Sequence, residues 1–152
     1  MQVIRDRTQF AAPLAFTAAG LLCGLSFVAA PVKFLADDVP LSDLLAVGRV
    51  TFRASAVAES GLFLSLILTA QNRARRLAVA TAAILFVQHL AIMPTLDAST
   101  LAVMHGEPPK SGWLHWLWIG CDLAKMAMLT GAGLISLRHI HDAQSPVALS
   151  AN

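Results

Sequence analysis

The segment from Gly112 to Leu137, GWLHWLWIGCDLAKMAMLTGAGLISL, constrains the fold more than any other stretch: it is long enough to cross a bilayer yet carries Asp122 and Lys125 near its middle. Even on mild insertion scales each charge at a helix centre costs roughly 2.5 to 3.5 kcal/mol, so such residues turn toward other helices, a polar cavity or a ligand. Asp122 and Lys125 lie three residues apart, and His115 lies two turns before Asp122, which puts all three on one helix face. The remaining helices must shelter that stripe.

Composition agrees with a chain built for lipid. Hydrophobic residues make up 57% of the 152 positions and charged residues 13%, against about 25% charged in an ordinary soluble domain. The net charge of +2 is small and its positive residues are dispersed, which argues against a nucleic-acid surface. Cys23 and Cys121 both fall in apolar segments, without metal-type spacing, and read as packing residues. No phosphate-binding loop, dinucleotide fingerprint, nucleophile elbow or H-E-x-x-H pair occurs. His139 and His141, two apart, point to different faces of a helix and make a poor metal pair.

Apolar runs bounded by polar or proline-containing stretches predict a single integral membrane domain with helices over about 10–32, 44–70, 77–93 and 113–137 and a flexible tail over 142–152. The first run has a basic head and resembles a signal peptide, but it is longer than the usual apolar core of one. Its Gly20 and Gly24 form a G-x-x-x-G step that would admit a neighbouring helix. Lys33 to Asp43 reads as an acidic loop and Thr95 to Ser111 as a longer one, the third helix stopping at Pro94. Arg49 is expected to snorkel at a membrane edge.

Arg5, Arg7, Arg73, Arg75, Arg76 and Arg138 fall on the side of the termini and the middle connection; Lys33 and Lys110 are the basic residues assigned to the other side. By the positive-inside rule both termini are cytoplasmic, an N-in/C-in topology, and Trp113, Trp116 and Trp118 sit near the outer interface as anchors.

Depth then suggests partners. Arg53 is ten residues past Asp43 and Asp122 ten past Gly112, each roughly 15 Å into the membrane at 1.5 Å per residue. The expected polar core is a zipper of Arg53 with Asp122 and of Glu59 with Lys125. His89 and Met93, one turn apart on the third helix, and His115 at the outer end of the fourth, form a candidate ligand set of imidazoles and a thioether, suited to copper or haem iron.

GLSFVAAPVKF ending the first helix, VGRVTF opening the second, MPTLD closing the third, and His115 followed by Asp122-x-x-Lys125 in the fourth resemble a bacterial four-helix membrane family of unknown function, itself similar to the copper-resistance-D-like group with its small haem-associated oxidases. The resemblance spans about Gly20 to Leu134. It implies an all-α four-helix transmembrane bundle in a bacterial inner membrane, and draws attention to Pro31, Arg49, Phe52, Pro94, His115 and Lys125. It also implies a role for a membrane histidine and lysine, with His89 or His115 and Lys125 as the residues at hand. Three functions follow as expectations: a protein that binds or passes a small polar solute or ion through the charged core; a haem- or copper-binding, redox-active membrane protein; or an accessory subunit whose charges pack against partner helices. The bilayer is the expected partner in all three, with a second copy or a partner subunit in the first and third.

Overall fold

The computed structural model describes residues 8–108 and 112–144, and these are helical almost throughout, with no strand among them. Four helices are long and apolar enough to cross a membrane: α1 (Ala11–Leu35), α2 (Leu41–Thr69), α3 (Asn72–Met104) and α4 (Gly112–Gln144). They alternate in direction, and each packs on its neighbours in a ring, α1 on α2, α2 on α3, α3 on α4 and α4 on α1. The parallel helices α2 and α4 therefore face each other across a diagonal.

The buried stripes explain this arrangement. On α4, Leu114, Trp118, Asp122, Lys125, Leu129, Ala132 and Ser136 recur at steps of three and four, and on α3 Ala74, Ala78, Thr81, Leu85, Gln88 and Ile92 do the same, the spacing that keeps one face of a helix against its partners. Near the terminal end, Ala11, Ala15 and Ala18 of α1 meet Phe63, Leu66, Ala78, Leu129 and Ala132. Alanines let backbones approach closely where apolar burial from lipid supplies little drive. At the end bearing the α1–α2 and α3–α4 connections, a second cluster gathers Ile92, Leu114 and Trp118 with Phe52, Met93 and Leu96. Between these two apolar clusters lies a polar layer. Large apolar side chains such as Val57, Leu64, Leu68, Phe86 and Leu90 point outward, as a lipid-facing surface requires.

Several expectations change. Helix α3 does not stop at Pro94 but continues to Met104, so most of the anticipated loop is helical. A π-helical stretch over Gln88–Ile92 ends one residue short of the proline, and it locally rearranges the backbone where proline removes a hydrogen bond and crowds the preceding turn. Helix α1 does the same, with a π-helical stretch over Cys23–Ala29 before Pro31 and a closing 3-10 turn over Lys33–Leu35. Gly20 and Gly24 admit no neighbour, since a Cβ on either would meet nothing within 4 Å; the alanine stripe is the packing face instead. Gly133 does carry a close contact, its position lying under the Phe16 ring. Trp113 and Trp116 are exposed, but Trp118 is 6% exposed and belongs to the core. The expected flexible tail begins within α4, and from residue 145 onward it lies outside the described residues, as do Arg5, Arg7 and Lys110.

Helix α3 ends on Gly106, whose φ is +86°. Its N–H donates to the Val103 carbonyl at 3.0 Å and the Glu107 N–H to that of Ala102 at 2.9 Å, the left-handed closure that glycine permits. Gly106→Ala should lower stability by about 1 kcal/mol through that backbone strain, measurable as a reduced thermal midpoint in detergent; an unchanged midpoint would mean the closure is not formed.

Candidate functional site

The polar layer is assembled from all four helices. Lys125 Nζ lies 2.8 Å from Glu59 Oε2 and 3.0 Å from Asp122 Oδ1. Asp122 Oδ1 also accepts from Gln88 Nε2 at 3.0 Å, and its Oδ2 accepts from Ser26 Oγ at 2.7 Å. Asp122 and Lys125 are each 1% exposed. The Lys125–Glu59 bond spans the α4–α2 diagonal, so one long side chain ties together two helices that scarcely touch otherwise. Buried charges need such pairing, because an unpaired ion carries a desolvation penalty of several kcal/mol. The layer nevertheless holds one ammonium against two carboxylates. Of the two carboxylates, Asp122 is the one with donors from three other side chains.

Both uncharged donors come from the π-helical stretches: Ser26 from that of α1, and Gln88 from that of α3. A π-helical turn re-aims side chains and is frequent at functional sites. Gln88 is wholly buried and its Oε1 has no protein partner.

Arg53 is not part of this layer. Its side chain is 64% exposed and its Nη2 lies 3.1 Å from Asp97 Oδ2, with no bond to Asp122. The reason is rotational: Gly48, Ser55, Glu59, Phe63 and Leu66 form the buried stripe of α2, and Arg53 projects off it, so equal depth does not bring it to α4. Arg49 is paired within the bundle: its guanidinium forks onto Asp97 through Nε to Oδ1 and Nη2 to Oδ2, the latter at 2.7 Å. This paired fork joins α2 to the part of α3 beyond Pro94.

Above the layer a cavity of about 550 Å³ opens toward the end with the α1–α2 and α3–α4 connections. Its walls are largely apolar, with Phe27, Phe34, Phe52 and Trp118 among them, and its polar positions include Lys33, Arg49, Asp97, His115 and Asp122. Asp122 thus belongs to both the cavity wall and the buried layer.

The candidate ligand set is divided. Met93 and His115 line the cavity, whereas His89 does not. The His89 ring packs edge-on against Trp118, at 5.4 Å between centroids, with Nδ1–H donating to the Leu85 carbonyl at 3.0 Å and Nε2 buried without a partner. Among the described residues no three His, Cys, Asp or Glu side chains form a group that could hold a metal ion, and with His89 turned to Leu85 and Trp118 the set of His89, Met93 and His115 is not assembled on the cavity wall.

The charge count yields an asymmetry. Lys125→Met leaves two buried carboxylates without their ammonium and should cost about 3 to 5 kcal/mol. Glu59→Gln leaves a neutral Asp122–Lys125 pair and should cost much less. Thermal unfolding of the two variants in detergent checks this, and equal losses would contradict it.

Compared with family models, with curated proteins and with solved structures, the chain matches none.

Proposed function

We propose that this is an integral membrane protein that binds, and in an oligomer passes, a small polar solute or ion, with the cavity as its entrance and Asp122 as the group that reads the solute. The observation carrying this is that Asp122 at once lines the cavity and belongs to a buried layer with one ammonium between two carboxylates. Three protein donors already reach its carboxylate, which offers about four acceptor positions. The remaining one suits a hydrogen-bond donor or cation on the solute. A binding event there alters the balance that Lys125 holds with Glu59, coupling the cavity to the diagonal pair.

The proposed orientation is N-in/C-in in a bacterial inner membrane. It is supported by Arg73, Arg75 and Arg76 at the α2–α3 turn, at the end opposite the cavity. The cavity then opens to the outer side. Ser99, on its wall, should as Ser99→Cys react with a membrane-impermeant maleimide applied to spheroplasts from outside; protection there and labelling only in inverted vesicles would reverse the topology.

A second reading, haem held in the cavity, is favoured by His115 and Met93 sharing its wall. A Soret band lost in His115→Ala would establish it. The leading reading predicts instead that a panel of small polar solutes and cations contains members that raise the thermal midpoint of the purified protein, and that Asp122→Asn abolishes the rise. Failure of every solute, or rises indifferent to Asp122→Asn, would overturn it.

A further inference from the structure

Lys33 is the cavity residue whose charge the fold leaves unanswered. Its ammonium makes no ion pair or hydrogen bond among the described residues and lies 4.9 Å from the centre of the Phe34 ring. Its place in the last turn of α1 accounts for a cation at that point, because a helix C-terminus favours one. That does not account for its direction. A lysine at a membrane edge ordinarily extends its stem toward water, whereas this one crosses to α2 and sets its ammonium against Gly48, where a Cβ would collide with it. Gly48 is buried and lines the same cavity. The glycine is thus a notch that admits the ammonium to the cavity wall.

Lys33 and Asp122 are two poles of one space. Ser26, bonded to Asp122, and Lys33 lie seven residues apart on α1, and both line the cavity. The same cavity has apolar walls, Phe27 and Phe52 among them. The other cation close by, Arg49, is already held by Asp97.

We propose that the cavity takes an amphoteric solute, with an ammonium or similar donor at Asp122, an oxyanion at Lys33 and a short apolar body between them. This rests on the solute-binding reading above and names the class of solute. Charge makes such a solute the better fit: a simple cation leaves Lys33 unanswered and binds more weakly, and a simple anion meets the two carboxylates of the buried layer.

The test is calorimetric titration of the nanodisc-embedded protein with unbranched ω-amino acids from glycine to 8-aminooctanoate, with the alkylamine and the carboxylate of matching length as controls. Affinity should pass through a maximum at an intermediate length and there exceed that of the matching amine by at least about tenfold, the ratio expected for one added charge-assisted bond. Lys33→Gln should remove that gain while leaving amine binding intact, and Gly48→Leu, which fills the notch, should do the same. Lys33→Arg should retain part of it. Equal affinity for amine and amino acid, or a gain that survives both Lys33→Gln and Gly48→Leu, overturns the assignment of Lys33 while leaving the solute site itself standing. Absence of binding by every member of the series also overturns it, and the thermal panel with Asp122→Asn then decides the broader reading independently.

Discussion

Lys125 serves two carboxylates at once, and the rest of the bundle is arranged so that it can. Its ammonium crosses the diagonal to Glu59 and stays within reach of Asp122 on its own helix. Breaking a buried pair by removing one partner is far more damaging than never having had it, so the positions of α2 and α4 are tied by charge where packing between them is slight. The alanine-rich half below and the Trp118 cluster above hold the helices around this layer. Asp122 and Lys125 are left only 1% exposed, and the low local polarity strengthens the contacts between them.

The two prolines fit the same scheme. Pro31 and Pro94 each follow a π-helical stretch, and each stretch delivers one neutral donor to Asp122. The local backbone rearrangement that tolerates a proline in a long helix is thus also the device that turns Ser26 and Gln88 inward. Beyond Pro94, α3 continues far enough to present Asp97 to Arg49 and Arg53, which closes one side of the cavity. A cavity above a charged floor follows from these bends together with the four-helix ring.

Much of this architecture is legible in the sequence. Hydropathy and length give four spans, and helical spacing with depth places Glu59 opposite Lys125. Depth alone misleads for Arg53, because it ignores rotation: the buried face of α2 is fixed by Gly48, Ser55, Glu59 and Phe63, and Arg53 lies off it. Reading Pro94 as a stop puts Asp97 into a loop and so hides its pairing with Arg49. Ser26 gives little warning, since a serine in a membrane helix ordinarily bonds its own backbone, as Ser60 and Ser65 do here. Lys33 reads as a loop residue until its stem is seen to lie against Gly48, a relation between residues fifteen apart that no local pattern encodes. Trp118 differs from Trp113 and Trp116 by its place on the buried stripe of α4, which the repeat from Leu114 to Ser136 makes plain in retrospect.

The most direct measurement is a double-mutant cycle on Glu59 and Lys125, each changed to Gln, with unfolding free energies taken in nanodiscs. If one ammonium organises the layer, the second substitution relieves part of the damage done by the first: the double variant is more stable than Lys125→Gln alone, and the coupling, which also counts the cost of Glu59→Gln alone, is at least about 1 kcal/mol, within the range known for residues in contact. Losses that simply add would mean that the two side chains do not sense each other, and that the diagonal pair is not what holds this bundle together.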